Sequence, residues 1–186
     1  MTEPAEIIKA RRELAACERD HAKGIRREIK GPELARRRAL IKYEKENARP
    51  LYLIACSARK LDKPAKARDL YQGQAFKLAT KAAQAAGADV MILSAKHGAV
   101  DPDAVLSPYD VTLGDMSKAE RAAWTAATAA QLEPHKDRPI VALAGANYAA
   151  ALEDFGNVTT PLAGLGIGQQ LAKLKSLSAP EQLPLF

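Results

Sequence analysis

Leu51-Tyr52-Leu53-Ile54-Ala55-Cys56 is the stretch that decides the fold. A short, continuous apolar run with no alternation reads as a strand covered on both faces, the usual condition in a parallel sheet. Two more runs follow, 89–93 (DVMIL) and 140–144 (IVALA), and 158–161 is a candidate fourth strand. Between the runs lie helical patterns. Residues 72–86 end at Gly87, and 147–155 and 167–177 are shorter helices. Ser117 caps a helix of 117–132, and Glu120, three residues on, completes a capping box. Strands alternating with helices predict an α/β fold with a mainly parallel, four-stranded sheet.

Upstream of Leu51 the composition changes. Residues 4–22 and 32–47 read as two helices separated by Gly24 and by Gly31-Pro32. The formal net charge of the 186 residues is +6. Residues 1–50 hold 14 Lys/Arg against 9 Asp/Glu, whereas 51–186 hold 14 against 13. The excess is therefore a basic helical arm, 1–49, on a nearly neutral domain, 50–178, followed by a tail, 179–186. Such asymmetry suits a polyanion, and Arg26, Arg27, Arg36, Arg37, Arg38 and Lys42 are the candidate contacts. A merely solvated basic helix is the plainer alternative. An anionic membrane fits poorly, because these helices lack a bulky Trp/Phe/Leu face. No apolar run reaches the roughly 18 residues of a membrane span. Two cysteines, Cys17 and Cys56, make neither a disulfide framework nor a zinc pattern, which suits a reducing cytoplasm.

Sites in open parallel sheets lie beyond the carboxyl ends of the strands. Loops 56–71, 94–114, 145–148 and 162–168 should therefore converge. They carry Cys56, Ser57, Lys60, Arg68, Tyr71, Ser94, Lys96, His97, Tyr109, Asp110 and Asn147. His97 titrates nearest neutrality. Lys96 and Arg68 could hold an anion, Tyr71, Phe76 and Tyr109 could stack on a base, and Asp110 could orient water or face developing positive charge. Plainer roles exist for each. His97 fits a structural role, Asp110 a turn cap after Pro108, Arg68 a loop ion pair with Asp69, and Cys56 a small buried hydrophobe. Gly164–Gly168 (GLGIG) is a weak phosphate-loop cue that matches no Walker or GxGxxG pattern.

The set CSARK (56–60), ARDLYQGQAF (67–76), ILSAKHGAVDPD (92–103), SPYDVTL (107–113) and PLAGLGIGQQL (161–171) resembles an uncharacterised bacterial and phage family. That family is similar to the uracil-DNA glycosylase-like superfamily, which includes a domain of archaeosine-type tRNA modification enzymes. The resemblance covers about residues 51–177. It implies a three-layer α/β/α domain that handles a nucleobase or its glycosidic bond, with a hypermodified phage base as one plausible substrate and anti-phage defence as a setting. The water-activating GQDPY motif of uracil-DNA glycosylases is absent, and CSARK stands after the first strand instead.

Hydrolysis of an N-glycosidic bond develops positive charge on the sugar and negative charge on the leaving base. Asp110 is the expected carboxylate, and His97 or Lys96 the partner of the base; no metal or other cofactor is expected. Cys56, Ser57, Lys60, Arg68, Tyr71, Ser94, Tyr109 and Asn147 are the expected nucleobase and substrate contacts. The leading expectation is thus a DNA glycosylase acting on a modified base. A base-modifying transferase on DNA or tRNA and a non-catalytic DNA-binding protein are the alternatives. The chain ends Gln182-Leu183-Pro184-Leu185-Phe186, which resembles the QLxLF peptide that docks bacterial DNA-processing proteins on the replicative sliding clamp. That resemblance implies Gln182, Leu183, Leu185 and Phe186 as clamp contacts.

Overall fold

A computed structural model describes residues 3–25, 31–47, 49–152, 155 and 158–179. The expectations placed on Arg26, Arg27, Gln182, Leu183, Leu185 and Phe186 lie outside the described residues. The chain divides into two compact units, Met1–Ala48 and Arg49–Phe186.

The first unit is a helical hairpin of α1 (Ala5–Ala22) and α2 (Gly31–Asn47). Its core is small: Ile7, Ala10 and Leu40 are buried, with Leu14 and Tyr43 packed against them. Ion pairs do much of the remaining joining. Both nitrogens of the Arg36 fork donate to the Glu13 carboxylate at 2.8 Å, and Arg11 reaches Glu44 at 2.7 Å. These pairings run the two helices antiparallel.

The second unit is built on strands β1 (Leu51–Ala55), β2 (Ala65–Lys66), β3 (Asp89–Ser94), β4 (Gly98–Val100), β5 (Val105–Leu106), β6 (Ile140–Leu143) and β7 (Val158–Thr159). Its helices are α3 (Ala67–Leu70), α4 (Gln74–Ala85), α5 (Lys118–Leu132), α6 (Ala146–Ala150) and α7 (Ile167–Ser178). The main sheet has five strands in the order β4-β3-β1-β6-β7. All neighbours are parallel except β3 and β4. β1 lies at the centre, with Leu51, Leu53 and Ala55 towards one core and Tyr52, Ile54 and Cys56 towards the other. Two opposed cores explain why its sequence is apolar throughout rather than alternating. Trp124 and Leu132 of α5 fill the first core, and Phe76, Ala79, Ala82, Ala83 and Leu174 of α4 and α7 fill the second. Helices thus cover both faces.

Five strands replace the expected four. The additional one, β4, falls inside the segment 94–114 that reads as loop, because three residues are too short to show a period. Gly98 makes it possible. Its φ of +72° turns the chain back on β3, and a Cβ there would overlap the Gln131 carboxamide. Gln131 accepts from the Ala99 N–H at 2.7 Å and donates to the His97 carbonyl at 3.1 Å, which pins the hairpin to α5. β2, β5 and α3 likewise add small elements within the predicted loops, and α6 is shorter than the pattern at 147–155 suggests. The capping box of α5 forms as expected, with the Ser117 N–H donating to Glu120 at 2.8 Å and the Glu120 N–H returning to Ser117 Oγ at 3.3 Å.

At the amino-terminal end of the sheet, Arg138 pairs with Asp89 at 2.6 Å and donates to the Arg49 carbonyl, holding the entry points of β1, β3 and β6 together. That leaves the opposite, carboxyl end for the loops. Among the described residues no helix is long and apolar enough to cross a membrane.

Candidate functional site

β1 and β6 are adjacent, yet the chain leaves them towards opposite faces: β1 leads to α4 in one core and β6 to α6 in the other. Neighbouring strands whose connections diverge leave a crevice at their carboxyl ends. A cavity of about 450 Å³ occupies that place. Its walls come from the end of β1 (Ala55–Ala58 and Lys60), the first turns of α4 (Ala75, Phe76, Ala79), loop 111–114, residues 143–148 after β6, and Leu162, Gln170 and Leu174. Most of this lining is apolar. Cys56, Ser57, Lys60, Thr112, Asn147, Tyr148 and Gln170 supply its polar groups, and among the described residues no carboxylate lines it.

Cys56, Ser57, Lys60 and Asn147 are the predicted residues that line the cavity. The Cys56 sulfur lies 3.2 Å from the Tyr148 hydroxyl. Ser57 is occupied by the backbone: its hydroxyl donates to the Arg59 carbonyl at 2.7 Å and accepts from the Gly73 N–H at 3.0 Å. It fixes the start of α4 rather than offering a free hydroxyl. Lys60 is the one amine on the wall among the described residues, with its ammonium 4.4 Å from the centre of the Tyr109 ring. This cation–π contact joins the cavity to a second group of predicted residues.

Tyr109 is the hub of that group. Its hydroxyl lies 2.7 Å from Ser94 Oγ and 2.9 Å from the Tyr71 hydroxyl. The Ser94 hydroxyl also accepts from the His97 N–H at 3.0 Å, and the Ser94 carbonyl accepts from the Trp124 indole at 2.9 Å. The His97 ring meets the Tyr109 ring edge-on, with centroids 5.5 Å apart, and the Lys96 ammonium lies 5.8 Å from the same ring. Burial pushes the Tyr71, Tyr109 and Tyr148 phenols up, so they act as neutral hydroxyls. Burial, and then the neighbouring Lys96 charge, pull His97 below its ordinary value, favouring the neutral imidazole.

Tyr71 is 1% exposed and does not reach the cavity; its ring backs Phe76, which does, at a centroid distance of 5.4 Å. His97, Lys96 and Ser94 gather round Tyr109 and are not part of the wall. Arg68 stands away on the surface, where it and Lys66 pair with Asp103. These two cations hold the Asp103 carboxyl below its usual range. Asp110 is exposed, has no partner among the described residues, and immediately precedes Val111 and Thr112 of the cavity wall. Arg36 and Arg37 of the hairpin are engaged by Glu13 and Glu33, while Arg38 is exposed. Lys42 is also exposed on α2.

Tyr148, Thr112 and Gln170 are wall residues that sequence reasoning did not single out. The first two sit in loops expected to converge, so position was the available signal. Gln170 lies in α7, which reaches the cavity only by packing on α4, and no local pattern reports that. Among the described residues no group of three or more His, Cys, Asp or Glu side chains is placed to hold a metal ion.

Residues 51–176 match a family of unknown function (DUF6884), and the chain belongs to that family. No curated protein matches the chain, and no solved structure does.

Proposed function

We propose that this member of the family is a DNA glycosylase with a uracil-DNA glycosylase-like domain, hydrolysing the N-glycosidic bond of a modified base in DNA. The observation that carries the reading is the cavity at the divergence of β1 and β6. Its volume falls within the ~300–1,000 Å³ of small-molecule sites. Apolar walls and the Phe76 ring suit the faces of a flipped base, and the Asn147 amide with the Tyr148 hydroxyl suits its edge. A base drawn in this far leaves its sugar near loop 109–112, where Asp110 is a carboxylate with no partner among the described residues. In this reading Asp110 opposes the positive charge that grows on the sugar and guides the attacking water. Lys60 opposes the negative charge that grows on the departing base. His97, Ser94 and Tyr71 act through Tyr109, holding the loops that carry Lys60 and Asp110.

Abasic sites, counted after incubation with DNAs bearing different modified bases, test the reading. One of them should lose its base; no release from any would contradict it. A base-modifying transferase is the second reading, favoured by the Cys56 sulfur on the cavity wall. It predicts an altered nucleoside mass with the glycosidic bond intact. The QLPLF terminus further supports docking on the replicative clamp. Deleting 182–186 should abolish clamp binding in a pull-down with purified clamp, and undiminished binding would remove the idea.

A further inference from the structure

We propose that the outward face of α1 is a binding surface for the phosphate backbone of duplex DNA, formed by Lys9, Arg12, Arg19 and Lys23. The choice of DNA among polyanions rests on the nucleobase reading of the cavity; the surface itself rests on geometry. At 3.6 residues per turn, the four positions fall within about 80° of arc and span about 21 Å of helix axis. All four are exposed, and none of their side chains has a hydrogen bond, ion pair or ring contact among the described residues. They lie opposite Ile7 and Ala10, the face that α1 buries. Glu6, Glu13 and Asp20 follow a neighbouring line centred about a quarter-turn from the centre of the stripe; Lys9 stands on the side next to that line, three residues after Glu6 and four before Glu13, and Glu13 is engaged by Arg36. Glu18 is further still.

The consecutive Arg36, Arg37 and Arg38 look more basic in sequence, but Glu13 and Glu33 already hold the first two. A cation held by a carboxylate must give up that partner before it can neutralise a phosphate and free the counterions condensed there; an unpaired surface cation need not. The α1 stripe is thus the better phosphate contact. A membrane surface is disfavoured because Ala5 and Ala16 stand among the cations and a half-buried Ile8 at their edge, with no aromatic or leucine there to enter lipid.

The test is fluorescence anisotropy of the full-length protein with a short labelled duplex, over a range of salt. Four contacts correspond to a slope of log affinity against log salt of about −3.6, or a loss of roughly 100-fold between about 50 and 200 mM. Replacing all four residues by Gln, a good helix former, should remove about that much slope. Single Gln variants should each remove about one unit, which keeps the test open if the fourfold variant fails to fold. Exchanging Lys for Arg and Arg for Lys at the four positions should leave the slope in place. An unchanged slope in the Gln variants would overturn the proposal, as would binding to phosphatidylserine vesicles but not to duplex. Base release is read separately, so absence of glycosylase activity leaves the salt slope informative.

Discussion

Tyr109 divides one hydroxyl between two partners, Tyr71 and Ser94, while its ring receives Lys60, Lys96 and His97. The dependence is unequal. Ser94 keeps the His97 N–H if Tyr109 loses its oxygen, but the buried Tyr71 hydroxyl loses its 2.9 Å partner and keeps only the Ser94 hydroxyl near it. Tyr109→Phe should therefore lower stability by about 0.5–1.5 kcal/mol, the cost of a lost buried hydrogen bond. Adding Tyr71→Phe should recover part of that loss, since two apolar rings strand nothing. Urea unfolding of the two single variants and the double decides it. Strictly additive losses would mean that the two phenols do not depend on each other. Sequence placed these residues in neighbouring loops but could not show which would face the cavity. Whether His97 reaches a ligand or leans on Tyr109 depends on side-chain packing across three loops, which no local pattern encodes.

Helix α4 begins where the loop after β1 is tied down. The Gly73 N–H donates to Ser57, the Gln72 N–H donates to the Arg59 carbonyl at 2.8 Å, and the Leu61 N–H donates to the Leu70 carbonyl at 2.9 Å. A Cβ on Gly73 would stand 2.6 Å from Ser57 Cβ, and Ser57 has no flexible end with which to retreat. Gly73→Ala should cost about 1–3 kcal/mol in urea unfolding through overpacking. Gly168→Ala in α7, where nothing lies within 4 Å of the added carbon, should leave stability unchanged or raise it. Equal effects at the two glycines would contradict the account of this junction. The long elements were legible because their patterns are long. β1 reads as buried on both sides from its apolar run alone, and Ser117 with Glu120 marks the start of α5. β4 was not legible, since Gly98-Ala99-Val100 is defined by a turn and by Gln131, 32 residues from Ala99. The pairing of Arg36 with Glu13 was hidden for the same reason: it joins two helices across 23 residues of chain.

Taken as a whole, the chain pairs a cation-bearing helical hairpin with an α/β unit whose loops meet at one end of its sheet. That the loops would meet was legible from topology, because the carboxyl ends of parallel strands all point one way. That the cavity would open between β1 and β6 required the strand order, which the sequence does not state. The central claim is that this cavity holds a base while Asp110 works at its rim. Base release from a responsive modified DNA, compared between the wild-type protein and Asp110→Asn, tests it most directly. The account predicts that Asp110→Asn slows release by roughly 10²–10⁴-fold with the fold intact. Undiminished release by Asp110→Asn would contradict it.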